Sequence, residues 1–196
     1  MKRSKTILKL PFKDEWFVLW GGDNKENNEY HYKVLNQKYA FDFVVIDGNN
    51  TTYRGEGKNN EDYYAFGKEI VAPANGVIVN IINNIQDNIP GSVNDKDIAG
   101  NVVIIKHTED EFSVLAHLKQ NSILVKVRDK VNQGQILGLC GNSGNSTEPH
   151  LHYHLQDSED IYGGEGIKCY FQSINIRDKK SENEYSPVMD DIISQS

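Results

Sequence analysis

The stretch that follows Pro149 constrains the fold more than any other, because histidine and apolar residues alternate in it without interruption. Residues 150–155 read His-Leu-His-Tyr-His-Leu. Successive side chains of a β-strand point to opposite faces, so the three histidines share one face and the apolar residues face a core. Pro149 lacks an N–H and favours extended geometry at Glu148, which predicts a tight loop in the glycine-rich segment 141–147 before it.

Short β-prone segments continue along the rest of the chain. They are rich in β-branched and aromatic residues and are separated by polar turns, including the hairpin signal Asn75-Gly76. No segment longer than about ten residues has clean helical periodicity. The sequence therefore predicts an all-β fold of antiparallel sheets. The expected strands are 16–20, 39–46, 77–82, 101–107, 112–118, 150–155 and 167–171.

The length of 196 residues is that of one domain with long loops. We place this single domain at residues 1–177, which contain all the expected strands. From Asp178 onward the chain is polar, and residues 178–196 are expected to form a polar C-terminal tail.

Composition excludes several classes of partner. The net charge is −7 and no basic stripe is present, which argues against nucleic acid. No run approaches the roughly 18 to 20 apolar residues of a membrane helix, and the apolar run after the basic segment 2–5 is too short for a conventional signal peptide.

Cys140 and Cys169 are too few for a disulfide scaffold, and we expect two free thiols. We expect a monomer.

Four polar residues could act together in chemistry. Asp42 is a lone carboxylate within a β-prone run, His117 lies on the strand 112–118, and His150 and His152 share a strand face. Zinc sites combine histidine nitrogens with carboxylate oxygens and, in enzymes, keep one position open for water. A histidine outside the metal's ligand set can act as a general base or stabilise an oxyanion. His31 and His154 are held in reserve.

Several short segments within roughly residues 39–155 form a recognisable series. They are APANGVI at 72–78, VLAHL at 114–118, VNQGQILG at 131–138, CGNSGNST at 140–147 and PHLHY at 149–153. In these segments and in their order the chain resembles the M23 peptidases, the lysostaphin- and LytM-like zinc endopeptidases.

The resemblance implies an all-β domain with a groove walled by long loops, for which we consider 47–62 and 83–100. It implies Zn²⁺ held by His152 and Asp42, with His150 and His117 assisting catalysis. It also implies peptide substrates, in particular peptidoglycan peptides, and a location in the cell envelope or outside the cell.

One position departs from the family pattern. The family's first ligand is a histidine four residues before the aspartate, where this chain has Lys38, and a protonated lysine cannot bind zinc. Three alternatives follow: His31 supplies the missing nitrogen, the metal is lost, or His154 joins His152. The corresponding functions are a zinc-dependent endopeptidase, with His31 as the third ligand, and a catalytically inactive M23-like binding or regulatory module.

Overall fold

Antiparallel β-strands account for nearly all the regular structure in the computed structural model, which describes residues 2–196. Two single-turn 3₁₀ helices, Leu35–Gln37 and Asn60–Asp62, lie in loops. The expected all-β fold is confirmed. The strands are β1 (Glu15–Trp20), β2 (Phe41–Val44), β3 (Glu69–Val71), β4 (Gly76–Ile82), β5 (Asn101–Thr108), β6 (Glu111–Leu118), β7 (Lys130–Val131), β8 (Ile136–Leu139), β9 (Leu151–Gln156), β10 (Gly166–Ile167), β11 (Phe171–Ile176), β12 (Glu182–Tyr185) and β13 (Ile192–Gln195).

Eleven strands form one sheet in the order β12-β11-β13-β1-β2-β9-β6-β5-β4-β7, with β10 paired to β9, while β3 and β8 form a small second sheet. The strand order brings together segments that are far apart in the sequence. β9 lies between β2 and β6, so the histidine strand has a partner strand on each side.

The two faces of β9 differ as the alternation predicts. Leu151, Tyr153 and Leu155 are completely buried in the main core. Phe41 stacks on Tyr153 from β2, and Phe171 packs against the same tyrosine ring. These large apolar contacts hold β9 in register, and a slip of one residue would turn every histidine into the core.

The structure corrects the expectation of a separate polar tail from residue 178. Residues 182–185 and 192–195 form β12 and β13, and β13 pairs with both β1 and β11. Ile193 is fully buried, and the buried Asp191 accepts hydrogen bonds from Tyr185 Oη and the amide of Val188. The apolar pair Ile192-Ile193 lies in a polar segment and is too short to predict a strand from the sequence.

None of the helices within residues 2–196 has the length and apolar character needed to span a membrane.

Both thiols are expected to be unreactive in the folded protein. Cys140 and Cys169 are free and fully buried, and burial raises the pKa of Cys140 well above its ordinary value and the pKa of Cys169 to about 12. Thiol reagents attack the thiolate, which is scarce and inaccessible here. Titration with a chromogenic disulfide at pH 8 should detect no thiol in the native protein and both thiols in denaturant. Rapid reaction of either thiol under native conditions would contradict the assigned burial.

Candidate metal centre and active site

Strand pairing places a carboxylate beside the histidine strand. Asp42 on β2 is the register partner of His152 on β9, and Ala116 on β6 is the partner of His152 on the other side. His152 Nδ1 lies 2.9 Å from Asp42 Oδ1. Both side chains are buried, at 5% and 9% exposure. Two of the predicted site residues are therefore brought together by the sheet itself.

His31 reaches the same carboxylate from a loop. The segment 21–38 between β1 and β2 folds back so that His31 Nε2 lies 3.5 Å from Asp42 Oδ2. Its ring also lies 5.0 Å from the ring of His152, measured between centroids. The loop therefore brings His31 beside both Asp42 and His152.

A buried asparagine holds His31 in this position. Asn28 is completely buried, and its side-chain nitrogen donates hydrogen bonds to the carbonyls of Gly22 and Ala40. Its Oδ1 then faces His31 Nδ1 at 2.8 Å. Because an amide oxygen only accepts, His31 carries its proton on Nδ1 and presents an unprotonated Nε2 to Asp42.

These residues fit a zinc ion. One ligand atom from each of His31, Asp42 and His152 lies within 4.8 Å of the other two. Two histidine nitrogens and a carboxylate form a ligand set typical of catalytic zinc sites. The unprotonated His31 Nε2 faces a carboxylate oxygen, so two electron-rich atoms are directed at each other, which a cation between them would stabilise.

Lys38 and His154 have other partners. The ammonium of Lys38 lies over the rings of Tyr32 and Tyr39, at 5.4 and 5.7 Å from their centroids. Both ring nitrogens of His154 are within hydrogen-bond distance of neighbours on its own strand, His152 and Gln156. Neither side chain belongs to the group formed by His31, Asp42 and His152.

The remaining two predicted histidines flank this group. His117 Nδ1 lies 2.8 Å from the carbonyl oxygen of Ser143, and His150 Nδ1 lies 2.9 Å from that of Glu148. Carbonyls only accept, so each imidazole carries its proton on Nδ1 and leaves Nε2 as an acceptor. His150 Nε2 is 3.6 Å from Asp42 Oδ1, and the rings of His117 and His150 are 4.8 Å apart. His150 Nε2 thus lies beside the carboxylate, and the ring of His117 lies next to the ring of His150.

The backbone at His117 is in an unusual conformation. Its φ is +61°, in the left-handed region that residues with a Cβ seldom adopt. The surrounding contacts hold it there, since the His117 amide donates to the carbonyl of Ala99 and its carbonyl accepts from the amide of Gly141. Strained backbone of this kind concentrates at functional sites.

The glycine-rich loop before β9 needs its glycines for close packing. At Gly144 φ is +81°, and a Cβ there would lie 2.4 Å from the backbone nitrogen of Gly100. Gly100 also has positive φ, and a Cβ on it would lie 2.4 Å from the carbonyl oxygen of Ser143. The two loops therefore pack backbone to backbone, which places the Ser143 carbonyl against His117.

Burial and neighbouring groups set the protonation of the cluster. Burial lowers the pKa of His31 to about 4 and that of His154 to about 3. Burial, together with His150 and His152, holds the pKa of His117 well below its ordinary value. Burial acts to raise the pKa of Asp42, but His31, His150 and His152 outweigh it and keep that pKa below its ordinary range. At neutral pH the carboxylate of Asp42 is ionised and the imidazoles of His31, His117 and His154 are neutral.

The site opens into a groove with a cavity volume of about 740 Å³. Of the two loops expected as walls, 83–100 contributes Ile98 and Ala99. Within the described chain, 47–62 contributes no lining residue, although Thr52 Oγ1 donates to the carboxylate of Glu148, which does line the groove. The opposite wall comes from segments that the sequence did not single out, 21–38 and 157–163. The lining is mainly apolar and aromatic, and includes Leu19, Trp20, Tyr30, Val34, Val114, Ala116, Ile161 and Tyr162.

Comparison with known proteins identifies the family of the chain. The model of Peptidase family M23 matches residues 59–163, more than half of the chain, a range that includes His117, His150 and His152 and begins after Asp42. The peptidoglycan DD-endopeptidase ShyA of Vibrio cholerae is 49% identical over 57 residues, which is 29% of this chain and 13% of ShyA. An uncharacterized metalloprotease of Buchnera aphidicola is 35% identical over 102 residues, 52% of this chain and 23% of the relative. The chain thus spans about a quarter or less of the length of these relatives.

Among solved structures, that of pseudoalterin, described as a novel M23 metalloprotease from the deep sea, superposes with a TM-score of 0.51. The superposition covers 94% of this chain and 92% of pseudoalterin at 16% identity, which establishes a likeness of fold. The family match covers the histidine strand, its preceding loop and the strand of His117. The chain belongs to peptidase family M23.

Proposed function

We propose that this protein is a zinc-dependent endopeptidase that hydrolyses peptide bonds in peptidoglycan peptides. The observation that carries the proposal is the convergence of His31, Asp42 and His152, with ligand atoms within 4.8 Å of one another, beside two histidines with free Nε2 atoms. His31 takes the ligand role that Lys38 cannot fill. When bound, the zinc ion supplies Lewis-acid polarisation and lowers the pKa of a water molecule.

The chain's own groups supply the proton transfers. His150 and His117 each present an unprotonated Nε2 to the groove, so either can accept a proton from the attacking water. The imidazole that takes up this proton becomes a donor at Nε2. It can then hydrogen-bond the oxyanion that develops on the peptide carbonyl, or return the proton to the leaving amine nitrogen.

The groove suits an extended peptide. Its apolar and aromatic walls shield the reacting atoms from water, and its lining includes Tyr162 and Ile98 as well as the histidines. Among the lining residues the only acidic groups are Asp42 and Glu148, and no lysine or arginine is present, so a peptide with a free amine is better accommodated than an acidic one. Relatives named as peptidoglycan endopeptidases support peptidoglycan as the substrate class. We infer action in the cell envelope or outside the cell, by a single protomer.

The proposal predicts that His117→Ala keeps the metal and loses hydrolysis. His117 lies outside the group of His31, Asp42 and His152, so zinc content should stay near that of the wild type. Loss of a general base or oxyanion donor typically slows the reaction by about 10²- to 10⁴-fold. Release of new amine termini from purified peptidoglycan and from stem or cross-bridge peptides, followed by mass spectrometry, measures the activity.

His107→Ala is the matched control, since His107 hydrogen-bonds Asn75 and Ser113 away from the groove and should leave both readouts unchanged. Zinc-loaded wild type that binds these peptides without cleaving any would overturn the endopeptidase and favour the binding module. Equal rates of hydrolysis by the wild type and His117→Ala would show that His117 has no role in the reaction.

A further inference from the structure

One acidic side chain in the groove lies outside the metal centre. Glu148 lines the groove, and the other acidic residue of the lining, Asp42, already faces three histidines of the cluster. No lysine or arginine is among the lining residues. Within residues 2–196, Glu148 forms no ion pair with a lysine, arginine or histidine. A carboxylate without a basic partner therefore faces the space in which a substrate lies.

The loop before β9 holds this carboxylate in place. Thr52 Oγ1 donates to Glu148 Oε2 at 3.0 Å, which restrains the side chain. In the described part of the chain this is the only hydrogen bond to the carboxylate, so Oε1 can accept from a ligand. Pro149 restricts the backbone of Glu148, and the carbonyl of Glu148 accepts from His150 Nδ1 at 2.9 Å. Because the group is held before a substrate arrives, little conformational freedom is lost on binding.

The position of Glu148 in the chain limits how far a bound group can lie from the reaction. Glu148 and His150 are two residues apart, so their Cα atoms are separated by at most about 7 Å. An extended substrate peptide advances by a similar ~3.3–3.6 Å per residue. A group held by Glu148 therefore belongs to a residue within about three positions of the bond that His150 helps to cleave.

A cationic amine is the ligand that this arrangement fits. An ammonium group is compact, carries one positive charge and donates up to three hydrogen bonds. Ion pairs on an exposed surface contribute little, but partly buried pairs are screened much less by water and salt. Glu148 is half-buried, and the groove around it is mainly apolar. The carboxylate should therefore discriminate between a charged amine and its neutral amide.

We propose that Glu148 is a specificity-determining residue whose carboxylate binds a primary amine of the peptide substrate. The amine lies either on a diamino acid side chain or at an unacylated amino terminus, because both present the same ammonium group. The effect of Glu148 on cleavage rests on the proposed endopeptidase function, whereas its binding of the amine does not. Neutralising either member of such a charged pair should cost about 10-fold in affinity.

The experiment varies the charge on both sides of the proposed pair. A synthetic stem peptide with a central lysine is prepared with both amines free, with either one acetylated, and with both acetylated. The zinc-loaded wild type should lose about 10-fold in kcat/KM when the recognised amine is acetylated, and the two singly acetylated peptides show which amine that is. Glu148→Gln keeps an oxygen that accepts from Thr52 Oγ1. It should cleave all four forms at similar rates, about 10-fold below the wild type on the free peptide.

A charge reversal and a distant carboxylate complete the set of variants. Glu148→Lys should prefer the peptide whose recognised amine has been succinylated and so carries a carboxylate. Glu109→Gln removes an exposed acidic group that pairs with Lys106 away from the groove, and this variant should discriminate among the peptides as the wild type does. Equal losses on acetylation in the wild type and in Glu148→Gln would overturn the proposal and leave the endopeptidase intact.

Calorimetric titration of the same peptides separates this proposal from the proposed function. Suppose that the wild type binds the free peptide about 10-fold more tightly than an acetylated form, that Glu148→Gln does not, and that no peptide is cleaved. The amine site then stands and the endopeptidase fails. Identical Kd and kcat/KM values for all four forms, or no measurable binding of any form, would overturn the amine site.

Discussion

Replacing His152 by alanine is expected to abolish both zinc binding and peptide hydrolysis, the largest effect that we predict. His152 lies against four other residues of the cluster: Asp42 through Nδ1, His154 through Nε2, and the rings of His31 and His117. Its removal takes away a ligand and leaves Asp42 buried with one partner fewer. Zinc affinity should therefore fall by more than the 10- to 100-fold typical of an outer partner.

Elemental analysis and chelator competition measure the metal, and amine release from peptidoglycan peptides measures hydrolysis. Zinc that binds only the folded protein stabilises it by about 2.7 kcal/mol when its concentration is 100 times Kd. Added zinc should accordingly raise the melting temperature of the wild type and leave that of His152→Ala unchanged.

Asp42→Asn is the companion variant, because it keeps the size of the side chain while it removes the charge that a zinc site requires. It should lose zinc as His152→Ala does and remain folded. His107→Ala should keep both zinc and activity. Stoichiometric zinc in a folded Asp42→Asn protein would show that the metal binds at a site other than the one formed by His31, Asp42 and His152.

Exchanging His31 for alanine should have nearly as large an effect, and Lys38 offers a matched comparison within the same loop. His31→Ala removes the nitrogen that lies 3.5 Å from Asp42 Oδ2, so zinc should be lost and hydrolysis should fall to the background rate. Lys38→Ala removes only an ammonium that lies over two tyrosine rings and should leave zinc content and hydrolysis close to wild type.

Asn28→Ala tests the assignment of His31 as a zinc ligand through a change with a smaller expected effect. Without the amide that fixes its tautomer, His31 should still bind zinc, with affinity lower by about 10- to 100-fold. Wild-type zinc affinity in His31→Ala would contradict the role of His31. Loss of zinc in Lys38→Ala alone would return the ligand role to the position that the family pattern gives it.

Much of this site could be read from the sequence, because alternation along a strand is a local property. The pattern after Pro149 placed His152 and His154 on one face of a strand, as they are in β9, and the β-prone run around Asp42 placed a carboxylate on another strand. That Asp42 pairs with His152 could not be derived locally, since it depends on which strands become neighbours.

Residues in irregular segments were harder to predict. The position of His31 depends on the path of a polar loop, which has no periodicity from which its course could be computed. Asn28 was missed altogether, because an asparagine in a polar stretch is ordinary until its burial is known. The loop 47–62 was wrongly expected to line the groove, because composition predicts that a segment is a loop but does not predict which way the loop folds.

The position of β13 determines when the sheet can be completed. Residues 192–195 supply the strand between β1 and β11, so β1, which supports the strand of Asp42, has an unpaired edge until these residues have been synthesised. Pairing between segments almost the whole chain apart is slow, because a long loop must close before the contact is made. The strand that carries His152 and His154 therefore emerges from the ribosome before the rest of its sheet is complete. Under the proposed function, stable capture of a metal ion therefore belongs to the last stage of folding, after synthesis of this part of the chain.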